Sequence, residues 1–240
     1  MSKKRTMLLT GTTQGLGNEI YEQFKHTYDI TTINRRGFVG NNLICDLSNI
    51  EEVCSLTQYV KNMEFDVLIN NAGGAEPVLF EKLTQKELCL STNLNYHSPV
   101  LLMQAVIDGM LKRNYGRIIN ISSIAAKSPR PLIPHYGAAK SALEKFSSSM
   151  AVAYGETGVT INCICPGGIN TKTSIDNRRK MALLNGLSDS FYNDEIKSKN
   201  GLGRMIEPIE VVKMIEYLLS DEANVISGQT INICGVREVH

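Results

Sequence analysis

The chain has 240 residues, a length that one large domain or two small ones would fill. Its 25 Lys and Arg residues nearly balance its 24 Asp and Glu residues, so the formal net charge is +1. A charge this small favours neither nucleic acid nor an anionic membrane surface as a partner. Hydrophobic residues make up 42% of the sequence, which is enough for a core and argues against a disordered chain.

No uninterrupted apolar run approaches the roughly 18 residues that a membrane span requires. The basic N-terminus is followed only by Met7, Leu8 and Leu9 before polar residues return, which is too short for a secretion signal. The six cysteines include no CxxC pair and the four histidines form no ligand-spaced cluster, so we expect reduced thiols and no metal. These features predict a cytoplasmic protein with no membrane partner.

Short β-rich runs alternate with longer amphipathic stretches along the chain. Seven runs are predicted strands: Met7–Thr10, Ile30–Ile33, Asn42–Cys45, Asp66–Ile69, Arg117–Ile121, Val159–Ile164 and Gln229–Ile233. Helical spacing of apolar residues predicts helices at Gly15–His26, Asn49–Asn62, Thr84–Lys112, Ser141–Gly155 and Pro208–Ser220. The alternation predicts an α/β fold, a single domain over residues 1–240 whose doubly wound parallel sheet of about seven strands carries helices on both faces.

One stretch, Thr171–Arg204, departs from this pattern because it is polar and lies between a predicted strand and the last helix. Long insertions after the carboxyl end of a strand often cover a ligand site. We therefore predict a substrate lid at about 171–204, with a surface excursion over a sheet edge as the alternative.

The first predicted strand runs into a glycine-rich segment, Thr10–Gly17, with glycines at 11, 15 and 17. Such glycines permit a tight turn, and the N-terminus of the helix that follows presents free N–H groups to a pyrophosphate. The spacing is GxxxGxG and differs from the GxGxxG form. For this motif alone, a purely structural turn is the alternative.

Tyr136 and Lys140 are four residues apart, which places both side chains on one face of a helix. A nearby ammonium favours phenolate, so we expect Lys140 to lower the pKa of Tyr136 and make it a usable proton donor. Ser123 follows the strand at Arg117–Ile121, where a hydroxyl can stabilise charge on a substrate carbonyl oxygen.

Taken in order, these motifs resemble the short-chain dehydrogenase/reductase family over nearly the whole chain. The matching segments are Thr10–Gly17, Asn70–Gly73, Asn120–Ser123, Tyr136–Lys140 and Asn162–Thr171, with Tyr136 thirteen residues after Ser123. That interval favours Ser123 over its neighbour Ser122. The resemblance implies a Rossmann-type sheet and an oxidoreductase with four catalytic residues: Asn95, Ser123, Tyr136 and Lys140.

The fourth catalytic residue in the family is an asparagine that holds a water in a proton relay. Asn93 and Asn95 are both candidates, and counting along the family register favours Asn95. A helix residue that bonds its own backbone is the alternative for either.

The resemblance also implies a set of cofactor-binding residues along the carboxyl edge of the predicted sheet. They are Gly11, Thr13, Gln14, Gly15, Leu16, Gly17, Arg35, Arg36, Asp46, Leu47, Asn71, Ala72, Gly73, Tyr136, Lys140, Pro166, Gly167, Ile169 and Thr171.

The choice of cofactor depends on the segment after the second strand, where family members that use NAD carry an acid. This chain has Asn34, Arg35, Arg36 and Gly37 there, with no carboxylate. Two guanidinium groups match a 2′-phosphate by charge and geometry but offer little to a bare hydroxyl. NADP(H) is therefore predicted over NAD(H), with a solvated arginine pair as the alternative.

The implied activity is NADP(H)-dependent hydride transfer to or from a carbonyl or secondary alcohol of a small biosynthetic substrate. The alternative is a 3-oxoacyl-[acyl-carrier-protein] reductase with acyl carrier protein as partner, although Thr157 stands where that subgroup carries an arginine and only Arg113 is left as a candidate contact. A non-catalytic NADP(H)-sensing regulator is a further alternative. Family members assemble through their middle helices, so we expect a homo-oligomer, a tetramer or dimer, formed by the apolar faces at Tyr96–Lys112 and Ser141–Ala153.

Overall fold

Seven parallel strands and the helices that connect them build the protein, and the computed structural model describes residues 4–188, 190, 194, 198 and 200–236. The strands are β1 (Thr6–Thr10), β2 (Asp29–Asn34), β3 (Asn41–Ile44), β4 (Val67–Asn70), β5 (Gly116–Ile121), β6 (Val159–Pro166) and β7 (Thr230–Ile233). Their order across the sheet is β3-β2-β1-β4-β5-β6-β7. The predicted parallel α/β sheet of seven strands is confirmed.

The described helices lie on both sides of this sheet. They are α1 (Gly15–Phe24), α2 (Ile50–Val60), α3 (Gln85–Thr92), α4 (Ser98–Arg113), α5 (Pro134–Ala153), α6 (Lys172–Leu184) and α7 (Pro208–Leu219). None of them is both long enough and apolar enough to cross a bilayer.

Two predicted helix boundaries were wrong. The stretch predicted as one helix at Thr84–Lys112 is α3 and α4 joined by a π-helical turn at Asn93–His97. Helix α5 starts at Pro134 and not at Ser141, because a proline fits the first helical turn, where its missing N–H is not needed. Tyr136 and Lys140 therefore both lie on the first two turns of α5.

Each face of the sheet has its own apolar core, since successive strand residues point to opposite faces. In β1, Leu8 packs with Leu102 and Leu143 under α4 and α5, while Met7 and Leu9 pack against the face covered by α1 and α7. Burying one such side chain stabilises the fold by about 1.5–3 kcal/mol. The two cores hold the sheet between the helix layers, so the ends of its strands are fixed in space.

The chain order reverses between β1 and β4. From β1 the chain builds outward to β2 and β3, then returns to place β4 on the other side of β1. Connections on either side of this point lead to opposite faces of the sheet, which leaves a crevice at the carboxyl ends of the strands. The fold therefore predicts a ligand site beside Gly11 and Asn71, the residues that follow β1 and β4.

Candidate active site

A cleft of about 670 Å³ opens at the carboxyl ends of β1, β2, β3 and β4. Its volume is in the range of cofactor and small-molecule sites. Fifteen of the nineteen predicted cofactor-binding residues line it: Gly11, Thr13, Gln14, Gly15, Leu16, Gly17, Arg35, Arg36, Asp46, Leu47, Asn71, Ala72, Gly73, Ile169 and Thr171. Distant segments of the sequence thus meet at one place.

The glycine turn is packed too tightly for side chains at two of its positions. A Cβ on Gly17 would lie 1.9 Å from the Gly11 carbonyl oxygen and 2.5 Å from Asn71 Nδ2, and Gly11 itself has φ +72°. Asn71 Nδ2 donates to the carbonyls of Thr10 and Gly11, at 3.0 and 2.9 Å. The turn therefore presents bare backbone to the cleft.

Helix α1 begins in this turn and lacks a side-chain cap. Gln14 occupies the N-cap position in an extended conformation, and its side chain makes no capping hydrogen bond. Instead Gln14 Nε2 donates to Thr173 Oγ1 on α6 at 2.8 Å. An uncapped helix N-terminus lined by glycines is suited to hold a phosphate group, so these residues fit a dinucleotide.

A buried amide network joins the glycine turn to the end of β2. The backbone N–H of Thr12 donates to Asn34 Oδ1 at 2.8 Å, and Asn34 Nδ2 donates to Thr12 Oγ1 and to Asn42 Oδ1, at 2.9 and 2.8 Å. Asn34 directly precedes Arg35 and Arg36. The network therefore sets where the arginine pair leaves the sheet.

Arg35 and Arg36 are exposed at the rim of the cleft. Asp46 is the one acid among the described residues that line the cleft, and its Oδ1 accepts from the backbone N–H and the hydroxyl of Ser48, at 2.9 and 2.7 Å. The segment that follows β2 thus brings two cations and no carboxylate of its own to the cleft, a charge pattern that fits an anion.

The predicted catalytic hydroxyls lie together. Ser123 follows β5, and its hydroxyl is close enough to the Tyr136 hydroxyl on α5 to act toward a lower pKa of that phenol. Ser123 Oγ also accepts from the backbone N–H of Ala125 at 3.1 Å, which fixes the serine at the start of a short 3-10 turn. Two hydroxyl groups from different elements therefore converge at one point.

Lys140 is buried one turn further along α5. Its Nζ donates to the carbonyl of Ile121 at 2.7 Å and lies 5.8 Å from the centroid of the Tyr136 ring. A Cβ built on Gly73 would be 3.0 Å from this Nζ, so the ammonium adjoins the wall of the cleft.

The sequence-based expectation for the pKa of Tyr136 was wrong in direction. Burial raises the pKa of Tyr136 to about 12, and the hydrogen bond from Ser123 offsets only part of that effect. Burial also lowers the pKa of Lys140 to about 8. The reason is that desolvation penalises both charged forms, and it outweighs the attraction between two groups that do not touch.

Asn95 lies in the π-helical turn, a geometry that often marks functional sites. It is fully buried; its Oδ1 accepts from the backbone N–H of Gly74, and its Nδ2 donates to the carbonyls of Gly74 and Ser91, each at 2.9 Å. A Cβ on Gly73 would be 2.9 Å from Asn95 Oδ1, so Asn95 and Lys140 flank the same glycine.

Asn93, the other candidate, points elsewhere. Its Nδ2 donates to the Ser48 carbonyl at 3.0 Å, and its Oδ1 lies 3.0 Å from His97 Nδ1. The structure thus brings Asn95, and not Asn93, to the group around Lys140.

The other four predicted cofactor residues, Tyr136, Lys140, Pro166 and Gly167, are not among those that line the cleft. Pro166 is buried at the end of β6, and a Cβ on Gly167 would lie 3.0 Å from Cys234 Cα. Gly167 is thus required for packing against the chain that leaves β7. Ile169 and Thr171, two and four residues further on, reach the cleft.

Helix α6, which lies in the segment predicted as a lid, borders the cleft through Thr173. Thr171 caps α6 by accepting from the backbone N–H of Ser174 at 3.3 Å. Further along the helix, Lys180 forms a 2.5 Å ion pair with Glu76, which lies on the loop after β4. Residues 189, 191–193, 195–197 and 199 of the predicted lid lie outside the described part of the chain.

Sequence reasoning missed several residues of the site. Asn34, Ser48 and Thr173 line the cleft. Beside the predicted catalytic hydroxyls, Glu144 accepts from Ser122 and Cys165. A signal existed for Glu144, since it follows Lys140 by the same four residues that separate Lys140 from Tyr136. Across the described ranges of the chain, His, Cys, Asp and Glu side chains form no group of three that could hold a metal.

The whole arrangement has known counterparts. The family model for short chain dehydrogenase matches residues 5–182. The 3-oxoacyl-[acyl-carrier-protein] reductase FabG of Haemophilus influenzae is 28% identical over 244 residues, covering 95% of this chain and 96% of that protein.

Two solved structures superpose closely. Actinorhodin polyketide ketoreductase, a variant with NADPH, gives a TM-score of 0.88 at 26% identity over 98% of both chains. A 4-hydroxyisoleucine dehydrogenase complexed with NADH gives a TM-score of 0.83 at 25% identity over 97% of both chains. Because the family model covers most of the sequence, the chain belongs to the short chain dehydrogenase family.

Proposed function

We propose that the protein is an NADP(H)-dependent oxidoreductase that transfers a hydride between the nicotinamide and a carbonyl or secondary alcohol of a small biosynthetic substrate. The observation that carries this proposal is that the Ser123 hydroxyl acts on the buried Tyr136 hydroxyl, one helical turn from Lys140 and next to the cleft. A pair of hydroxyls beside a buried cation is what proton transfer to a carbonyl oxygen needs.

The chain's own residues would act as follows. Tyr136 donates its phenolic proton to the carbonyl oxygen, and the Ser123 hydroxyl donates a hydrogen bond to the same oxygen as charge develops there. The Lys140 ammonium stabilises the phenolate that remains and lies where a ribose in the cleft would meet it. When bound, the nicotinamide cofactor supplies the hydride. Asn95, which flanks Gly73 together with Lys140, is the fourth residue of the proposed catalytic group.

The preference for NADP(H) over NAD(H) is supported by Arg35 and Arg36. Both are exposed beside the end of β2, where a 2′-phosphate would have two guanidinium partners. The ketoreductase neighbour was solved with NADPH and the 4-hydroxyisoleucine dehydrogenase with NADH, so relatives of this fold differ in cofactor. The arginine pair, together with the lack of an acid there, decides our choice.

The second candidate is a reductase of 3-oxoacyl groups on acyl carrier protein, favoured by the name of the Haemophilus relative. Arg113 does not support it. Its Nε pairs with Asp66 Oδ1 at 3.2 Å and its Nη2 donates to the Phe65 carbonyl at 2.5 Å, at the amino end of β4 and thus at the end of the strands opposite the cleft. A free small molecule therefore remains our proposed substrate.

We also propose a cytoplasmic homo-oligomer, a tetramer or dimer, assembled through α4 and α5. Val152 on α5 is 85% exposed, which is unusual for a valine beside a buried core and suits a subunit contact. Light scattering at micromolar concentration tests this, and a monomer would contradict it.

The test of the activity is the consumption of NADPH or NADH, followed by absorbance, with a panel of ketones, aldehydes and 3-oxoacyl thioesters. We expect turnover with NADPH and at least one ketone. Tight NADPH binding without turnover on any carbonyl would instead favour the remaining alternative, a non-catalytic regulator that senses NADP(H).

A further inference from the structure

We propose that Glu144 is a positioning residue of the active site, which holds the turn that carries Ser123 and faces Lys140 with its carboxylate. The proposal rests on the oxidoreductase function above. It concerns a side chain one turn beyond Lys140 on α5, which is not among the residues that line the cofactor cleft.

Two buried donors converge on one oxygen of this carboxylate. Ser122 Oγ donates to Glu144 Oε1 at 2.5 Å, and Cys165 Sγ lies 2.7 Å from the same atom. Ser122 is 3% exposed and Cys165 is fully buried. Hydrogen bonds to a charged acceptor are shorter and stronger than those between neutral groups. Glu144 therefore fastens α5 to the ends of β5 and β6 at once.

These contacts fix the catalytic serine from both sides. Ser122 is the chain neighbour of Ser123, and its backbone N–H donates to the Ile164 carbonyl at 2.7 Å. Cys165 Sγ also lies 3.5 Å from the Ser123 carbonyl oxygen. Ser122, which precedes Ser123, donates its hydroxyl to Glu144, and Cys165, which lies against the Ser123 carbonyl, contacts the same carboxylate. The residues around the Ser123 side chain are thus connected through Glu144. The direction of the Ser123 hydroxyl toward Tyr136 depends on this arrangement.

The carboxylate has a second effect, on Lys140. Tyr136, Lys140 and Glu144 follow one another at intervals of four, so they share one face of α5. Burial lowers the pKa of Lys140, and the negative charge of Glu144 acts against that lowering.

Other titratable groups around the ammonium do not carry negative charge at working pH. Burial raises the pKa of Cys163 to about 11 and raises that of Cys165 further, so both β6 thiols stay protonated. Lys127, after β5, faces these thiols with a positive charge. Among the described groups that face Lys140, Glu144 is therefore the one that supplies an anion.

The experiment separates the two effects with two kinds of variant. Glu144→Gln keeps an acceptor oxygen for Ser122 and Cys165 but removes the charge. We expect kcat to fall severalfold with KM unchanged, and the alkaline limb of the pH profile of kcat/KM to move to lower pH by about half a unit or more. Glu156→Gln, which removes an exposed carboxylate just after the same helix, is the matched control and keeps the wild-type profile.

Ser122→Ala and Cys165→Ala keep the charge and each remove one donor. We expect each to lower kcat severalfold while the alkaline limb stays at the wild-type pH. Glu144→Ala removes both effects and should lose about tenfold or more in kcat, with circular dichroism to check that it folds. If Glu144→Ala does not fold, then Glu144→Gln, Ser122→Ala and Cys165→Ala still test the positioning role.

The outcomes are distinct from those that test the proposed activity. An active wild type whose Glu144→Gln variant matches Glu156→Gln in both kcat and pH profile would overturn the positioning role alone. A shifted limb in Ser122→Ala or Cys165→Ala would also overturn it, because those variants keep the charge. A wild type without turnover on any carbonyl overturns the proposed activity and, with it, this inference.

Discussion

Lys140 and Tyr136 lie one turn apart on α5, yet the ammonium donates to the Ile121 carbonyl at 2.7 Å and stands 5.8 Å from the centroid of the tyrosine ring. The lysine is therefore held by the end of β5 and acts on the tyrosine only through space. In this arrangement burial sets both pKa values, to about 12 for Tyr136 and about 8 for Lys140.

The pH dependence of carbonyl reduction follows from these two values. A lysine whose pKa is lowered carries its charge below about pH 8 and loses it as the pH rises through that value, while Tyr136 keeps its proton to about pH 12. We expect kcat/KM to fall along one alkaline limb near pH 8. Rates measured from neutral pH upward test this, with circular dichroism to exclude unfolding. A rate that stays flat to about pH 10 would rule out the lysine as the group responsible.

Replacing Tyr136 with phenylalanine should lower kcat by roughly 10²–10⁴-fold, because general acid catalysis is typically worth that much. NADPH binding, measured by fluorescence titration, should change little, since only one hydroxyl is lost. Tyr217→Phe, which removes the hydroxyl of an exposed tyrosine on α7, is the control. Turnover within a few fold of wild type in Tyr136→Phe would remove Tyr136 from the role of acid.

The two asparagines of the π-helical turn should differ in effect. Asn95→Ala removes four hydrogen bonds at the group around Lys140, so we expect kcat to drop at least tenfold. Asn93→Ala removes a contact to the Ser48 carbonyl on the other side of the turn and should leave kcat close to wild type. Steady-state kinetics of both variants decide which asparagine belongs to the catalytic group. A larger loss of kcat in Asn93→Ala than in Asn95→Ala would show that the family register was placed wrongly.

The arginine pair should discriminate between the two dinucleotides. Losing one charge-assisted pair to a 2′-phosphate weakens binding by about one to two orders of magnitude. We expect Arg36→Ala to weaken NADPH more than Arg35→Ala does, with NADH hardly changed in either. Titration of both cofactors against each single variant and the double variant measures this. Equal losses for NADPH and NADH would mean that the arginines shape the loop and do not bind the phosphate.

The glycine turn offers a test of packing. Gly17→Ala places a methyl group 1.9 Å from the Gly11 carbonyl oxygen, and such overpacking costs about 1–3 kcal/mol of the free energy of unfolding. We expect a lower Tm and weaker NADPH binding. Gly37→Ala is the matched control for Tm, because a Cβ there meets nothing within 4 Å. A Tm equal to wild type in Gly17→Ala would contradict the described geometry of the turn.

Much of the fold and of the cleft could be predicted from the sequence. The alternation of strands and helices leaves few arrangements for a parallel sheet, and in all of them the carboxyl ends of the strands share one edge. Gly11, Arg36 and Asn71 each follow a predicted strand, so their meeting in one cleft follows from chain order and sheet topology. The spacing of Tyr136 and Lys140 likewise depends only on helical geometry.

What the tertiary structure decided is the surroundings of these side chains. The pKa of Tyr136 depends on how much water distant segments exclude, and spacing along one helix carries no information about that. The family register favoured Asn95 over Asn93, but the contacts that bring Asn95 beside Gly73 and Lys140, within a π-helical turn, were visible only in the structure. Glu144 meets Ser122 and Cys165 only because α5 packs over β5 and β6, which brings together residues more than twenty positions apart. Local patterns along the chain therefore determined which elements form and where their ends lie, while desolvation and contacts between elements, which depend on packing in three dimensions, determined the chemistry at those ends.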